Sequence, residues 1–228
     1  MQIIVMKKIR TLLITFANDI GAAPITSFRG AVIEKVGREN SLFHNHLADN
    51  TFIYKYPLIQ YKIVEGLPAI FCLNAGVDEI HKLFGQKTWT IDLRGKQVTL
   101  EVESLDLKTK TLSVNGQMHH YAIQRWHALN EENFKKYQLM TSLADKIKML
   151  ERILVGNILS FAKGIDWHID EKILLQIVKI ETIKQSKLKD IKVCTFDISF
   201  QSNVILPNWL GLGKGASTGF GVINEIKK

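Results

Sequence analysis

Cysteine is almost absent from this chain. Of 228 residues only Cys72 and Cys194 are cysteines, 122 positions apart and each in apolar surroundings. That count excludes a cysteine zinc site, and the expected state is two buried free thiols in a reducing cytoplasm. Long hydrophobic runs are missing too. No stretch approaches the roughly 18–20 apolar residues that span a bilayer. The opening MQIIVMKKIRTLLITFAND is broken by basic residues and is followed by no clean small-residue cleavage site, so it reads as a strand and not a signal peptide. With four prolines in all, no low-complexity linker separates the halves. Acidic side chains are in deficit: 22 against 30 lysines and arginines, a net charge of +8. Such a balance points to a polyanionic partner, nucleic acid ahead of a membrane surface. Hydrophobic residues at 46% and charged residues at 23% are ordinary for a soluble globular protein, one large domain or two small ones.

What is present has a readable order. Residues 10–17 form a first strand, and 26–37 a helix with Thr26 as cap, Phe28, Val32 and Val36 at helical spacing, and Gly37 as the stop. Residues 54–64 and 69–74 flank Gly66-Leu67-Pro68 as a hairpin, 76–85 make a short helix, and 88–129 are rich in strands. The first half thus reads β-α-β-β-α-β with strands appended, the split βαβ or ferredoxin-like plan. The second half opens with a helical segment, 131–163, whose Leu143, Ile147, Leu150, Leu154, Ile158 and Phe161 share one face. Two strands, 172–184 and 190–202, a glycine-rich segment and a last strand, 220–226, complete a shorter version of the plan. The expected fold class is α+β, two tandem ferredoxin-like domains over 1–129 and 130–228, the boundary set where strands give way to the polar run NEENFKKYQ.

The glycine-rich segment, Gly211 to Gly221, holds five of the fifteen glycines in eleven residues. A Walker A loop needs Ser or Thr after its Lys, and Lys214 is followed by Gly215. A dinucleotide fingerprint needs a helix and an acidic residue about 20 positions on, and the sequence given stops short of that. Two readings remain: a flexible hairpin, or a backbone clamp on RNA. In the second, glycines bring main-chain N–H groups close to a sugar-phosphate strand, Lys214 adds charge, and Ser217 and Thr218 add hydroxyl donors.

Gly211-Leu212-Gly213, five residues, then Gly219-Phe220-Gly221, preceded by Pro207-Asn208-Trp209, resembles the glycine-rich loop of the RAMP superfamily. Within it the chain is similar to the Cas endoribonucleases that process CRISPR precursor RNA. The resemblance implies cutting once within each repeat, without metal or cofactor. The 2′-hydroxyl attacks the adjacent phosphate, leaving a 2′,3′-cyclic phosphate and a 5′-hydroxyl. It implies CRISPR repeat RNA as partner, with other Cas proteins of an interference complex and a homodimer as further options, and a non-catalytic RNA-binding subunit as the alternative.

Such a reaction needs a base, an acid and positive charge for the transition state. His44-Asn45-His46 lies after the first helix and before the 54–64 strand, on a loop, where two imidazoles in extended chain stand roughly 6–7 Å apart and can bracket one phosphate. By the resemblance His44 and His46 are the catalytic pair, with Lys35 and Tyr54 beside them; Arg38 is the alternative cation. A His-x-His metal site would need Asp49 or a distant ligand. His119 and His120 adjoin in a strand and face opposite sides. His127 and His168 adjoin tryptophans and are expected to pack, and His81 is expected on a helix surface. For RNA binding the candidates are Gly211, Gly213, Lys214, Gly215, Ser217, Thr218, Gly219 and Gly221, the turn lysines Lys184, Lys187, Lys189 and Lys192, and Lys146, Lys148, Arg152 and Lys163 on the long helix. No RNP-type aromatic pattern is present, so bases are not expected to stack on a sheet face.

Overall fold

The computed structural model describes residues 6–20, 24–44, 56–188 and 191–226, except for the side chains of Lys187 and Leu188. The chain divides into two compact units. One holds Lys8–Lys110 together with Ser217–Gly219; the other holds Thr111–Ala216 and the stretch from Phe220 onward.

The first unit runs β1 (Lys7–Phe16), α1 (Ile25–Val36), a 3-10 turn (Ser41–Phe43), β2 (Ile59–Val64), β3 (Leu67–Leu73), α2 (Ala75–Glu79), α3 (His81–Phe84), β4 (Thr90–Leu93), β5 (Lys96–Thr99) and β6 (Val102–Leu112). The sheet order is β2-β3-β1-β6. β3 lies antiparallel between β1 and β2, which α1 connects, and this is the split βαβ arrangement. Phe28 and Val32 of α1 are fully buried against the sheet, with the Phe28 ring edge-on to Phe16 and Tyr61 at 5.7 and 6.1 Å. Pro24, not Thr26, is the N-cap, and it makes no side-chain cap bond. Thr26 sits exposed inside the first turn. Gly37, at φ 94°, ends the helix as expected. The appended strands β4 and β5 pair only with each other, turning at Arg94-Gly95, both at positive φ.

The second unit runs β7 (Val114–Trp126), α4 (Glu131–Leu139), α5 (Leu143–Gly164), β8 (Leu175–Leu188), β9 (Ile191–Val204) and β10 (Val222–Glu225); of the 3-10 turn Ala216–Thr218, Ala216 groups with this unit and Ser217 and Thr218 with the first. Its order, β10-β7-β9-β8, repeats the connectivity of the first sheet. The glycine-rich segment stands where the second helix of the plan would be. β7 belongs to this sheet, although a boundary at 129/130 assigns it to the first half. β6 and β7 are separated by Ser113 alone. Strand periodicity therefore runs through the change of sheet without a mark, and the polar run at 130 starts a helix instead of a domain.

The segment expected as one helix is two. Asn130 Oδ1 accepts the Asn133 N–H at 2.7 Å to cap α4, and Ser142 Oγ accepts the Asp145 N–H at 3.3 Å to cap α5. On α5, Met149, Leu150, Leu154, Ile158, Phe161 and Ala162 are buried, while Leu143, expected on that face, is exposed. The facing core includes Tyr121, Trp126, Phe196 and Phe200. Both cysteines are free, Cys72 buried and Cys194 half-buried. Among the described residues no helix is long and apolar enough to cross a membrane.

Tyr121 ties β7 to the chain leaving β9. Its hydroxyl donates to the Val204 carbonyl and accepts the Leu206 N–H, both at 3.0 Å, and burial pushes the phenol pKa up. Tyr121→Phe removes both bonds while keeping the ring. Urea unfolding should show a loss of about 1–3 kcal/mol.

Candidate active site and RNA interface

His44 ends a tight turn built on the C-terminus of α1. Asn40 Nδ2 donates to the Val36 carbonyl at 2.6 Å, the Phe43 ring is buried as an anchor, and the His44 N–H reaches the Ser41 carbonyl at 3.2 Å. The His44 Nε2 lies 2.6 Å from the Arg38 carbonyl oxygen. A carbonyl only accepts, so Nε2 carries the proton, and in the neutral ring Nδ1 is the basic nitrogen. His46 and Tyr54 lie outside the described residues. Lys35 Nζ donates to Thr88 Oγ1 at 2.9 Å, and Arg38, just past the end of α1, is ion-paired with Glu34 in its last turn. Two residues that the sequence did not single out converge here. Arg29 Nη2 donates to the His44 carbonyl at 2.7 Å, and the Tyr61 hydroxyl donates to the Phe43 carbonyl at 3.3 Å. In sequence Arg29 is a polar helix residue and Tyr61 an apolar strand residue, and no spacing links either to position 44.

The glycine-rich segment is folded and not a flexible hairpin. The Leu212 N–H bonds the Gly221 carbonyl at 2.8 Å, the Ile223 N–H bonds the Leu210 carbonyl at 2.8 Å, and the Gly221 N–H bonds the Arg125 carbonyl at 3.1 Å. A lone bridge joins His127 to Lys214. Its glycines make room mainly for the protein itself. At Gly213, φ 84°, an added Cβ would lie 3.0 Å from the Trp126 indole nitrogen and 3.0 Å from the Asn157 amide oxygen. At Gly221, φ 62°, it would lie 1.9 Å from the Leu212 carbonyl oxygen. Gly211, Thr218, Gly219 and Gly221 are buried. Lys214 is exposed, and Gly213, Gly215 and Ser217 are partly so, which confines the outward-facing surface to the segment's tip.

Of the remaining histidines, His127 is buried as expected, its pKa lowered by burial and by the nearby Lys214 charge. His168, expected to pack, is exposed instead, its Nε2 2.9 Å from Asp170. His81 is exposed on its helix, and His119 Nδ1 lies 3.7 Å from Glu225. Among the described residues no group of three or more His, Cys, Asp or Glu is placed to hold a metal ion; His46 and Asp49 lie outside them.

The β8–β9 hairpin carries the turn lysines. Lys184 Nζ donates to Asp197 Oδ2 at 3.1 Å, an oxygen that also accepts Thr182 Oγ1 at 2.6 Å, while Asp197 Oδ1 accepts the Arg125 N–H at 2.7 Å. Burial alone would raise the Asp197 pKa, but these bonds outweigh it and hold the carboxyl below its usual range. Lys187 and Lys192 are register partners across the hairpin. Lys189 lies outside the described residues. On α5, Lys148, Arg152 and Lys163 are exposed, and Lys146 Nζ sits 5.1 Å from the centre of the Tyr137 ring.

Two ferredoxin-like units in tandem, the second closed by a glycine-rich loop, are the architecture that the resemblance to the RAMP superfamily implies. The Cas6b N-terminal domain matches residues 7–112 and the Cas6b C-terminal domain residues 113–226, and the chain belongs to the Cas6b family. A solved Cas6b structure superposes with a TM-score of 0.81 at 24% identity, covering 96% of this chain and 100% of that one. A second, described as the CRISPR RNA processing endoribonuclease Cas6b, gives 0.68 at 22% identity over 96% and 100%. An uncharacterized protein of Methanocaldococcus jannaschii is 37% identical over 106 residues, 46% of this chain and 71% of that protein.

Gly221→Ala should unseat the loop. Its Cβ would strike the Leu212 carbonyl oxygen at positive φ, so a drop in melting temperature is expected, measured by calorimetry. Asp197 makes a second prediction. Its folded pKa lies below the unfolded value of about 3.9, so its stabilisation is present above that pH and lost as the pH falls through the folded value. The stability gap between wild type and Asp197→Asn should therefore be full at neutral pH and narrow below about pH 4 in acid-titrated urea melts.

Proposed function

We propose that this protein is an endoribonuclease that binds CRISPR precursor RNA and cuts each repeat once, by metal-independent attack of the 2′-hydroxyl on the adjacent phosphate. The observation that carries this reading is His44. It sits at the end of the 3-10 turn that follows α1, on a segment fixed by hydrogen bonds, its tautomer set by the Arg38 carbonyl, in a chain matched along both halves by the Cas6b domains. His44 and His46 share the base and acid roles, each worth roughly 10²–10⁴-fold. Lys35 supplies positive charge to the transition state, and Tyr54 completes the group. The N-terminal half carries the chemistry and the C-terminal half holds RNA through Gly213, Lys214, Gly215 and Ser217 and through the hairpin lysines. The placement of Lys184, Lys187 and Lys192 along one hairpin supports that role. The product is a guide RNA with a cyclic phosphate end, which other Cas proteins can take up, and the enzyme works as a monomer or a homodimer. The second reading, a non-catalytic RNA-binding subunit, draws on the engagement of His44 Nε2 by a backbone carbonyl.

The test is cleavage of the repeat RNA of the protein's own genome with EDTA present, beside an RNA with 2′-deoxy at the scissile nucleotide. A single cut ending in a cyclic phosphate, absent with the deoxy RNA and slowed at least about 100-fold by His44→Ala or His46→Ala, is expected. Tight binding with no cut would replace this reading with the non-catalytic one.

A further inference from the structure

The turn before His44 is held more firmly than a surface turn requires. Phe43 is 1% exposed, so its ring fixes one side of the peptide. Its carbonyl is taken by the Tyr61 hydroxyl from the fully buried middle of β2, at 3.3 Å. The next carbonyl, that of His44 itself, is taken by Arg29 Nη2 from α1, at 2.7 Å. Two successive peptide oxygens are thus gripped by side chains from two regular elements, one helix and one strand. The elements are themselves locked together, because Phe28, next to Arg29, meets the Tyr61 ring at 6.1 Å.

A guanidinium is a costly group with which to satisfy one carbonyl. Its charge is largely removed from water, and a buried charge without a counter-charge costs free energy. Among the described residues no carboxylate pairs with Arg29, whereas Arg38 is matched by Glu34. The Arg29 Nε is buried and has no hydrogen-bond partner among the described residues. A neutral donor would hold the turn as well for stability alone. What a stiff, planar, permanently charged donor adds is a fixed direction for the backbone at position 44, and catalytic side chains on loops need placement to within about 0.5 Å.

We infer that Arg29 and Tyr61 are positioning residues for cleavage, holding the Phe43–His44 backbone so that the imidazole is presented in one orientation. The inference rests on the catalytic reading of His44. Neither residue touches the RNA; both act through His44.

The experiment is single-turnover cleavage by the full chain, with RNA affinity and melting temperature measured on the same samples. The variants are Arg29→Met, Arg29→Lys and Tyr61→Phe, each made in the wild-type and the His44→Ala background. Arg29→Met and Tyr61→Phe should slow cutting about 10- to 100-fold, the size expected for a misplaced catalytic group, with RNA affinity changed less than about twofold. Arg29→Lys, which can still donate one bond, should recover part of the rate. In the His44→Ala background none of them should slow the residual cutting further, because residues that act as one unit are not additive. Equal slowing in both backgrounds would overturn the inference by showing direct action on RNA, as would a large loss of RNA affinity. An unchanged rate in Tyr61→Phe and Arg29→Met would overturn it as well, leaving the two bonds purely structural. If Arg29→Met melts below the assay temperature, Tyr61→Phe, which deletes one oxygen, decides. A normal rate in His44→Ala alone sinks the catalytic reading of His44 instead, and is told apart because it needs neither Arg29 nor Tyr61 variant.

Discussion

The hydrogen bond from the Trp126 indole to Asn157, 2.9 Å long, is the contact on which the second unit turns. It fastens α5 to the end of β7, and both side chains together form the wall against which Gly213 lies. β7 slips register between Ile123 and Trp126, with Arg125 at φ 51°, and that irregularity brings the Arg125 carbonyl to the Gly221 N–H. The Arg125 guanidinium then lies 4.4 Å from the centre of the Phe220 ring. The loop is therefore moulded on a bulge and a helix, and Lys214 is held at its tip. A loop ordered in this way has already lost its conformational entropy on folding, so any ligand it met would not have to order it.

Much of the architecture was legible because periodicity and punctuation agree. Gly37 stops α1, the heptad-like spacing of Leu150, Leu154, Ile158 and Phe161 marks the buried side of α5, and the glycine pattern marks a special loop near the end of the sequence. The sheet to which β7 belongs was not legible. Alternation tells which face of a strand is buried but not which strands it pairs with, and one residue between β6 and β7 leaves nothing to read. The glycine loop shows a related ambiguity. A missing Cβ looks the same in sequence whether it admits a ligand or the protein's own backbone, and Leu212 and Trp126 fill most of that space here.

The site divides along the same line. Position 44 stood out in the sequence as a candidate because a histidine pair is chemically conspicuous. Arg29 and Tyr61 were not, because their part depends on carbonyls 15 and 18 residues away that only the folded chain brings near. Likewise Lys184 reads as a free cation in sequence, but folding places Asp197 beside it. Charge counted along the chain overstates the charge available at a surface once neighbouring strands pair.

β8 forms the open edge of its sheet over fourteen residues, with Val178 and Ile183 exposed along it. An edge of that length and character invites another strand to add to it, and lysines are a common guard against such joining. Lys179, Lys184 and Lys187 all lie on this strand. Lysines spaced along such an edge are placed to oppose the addition of a strand from another chain. A variant stripped of these lysines should self-associate more readily, and its solubility becomes part of its phenotype.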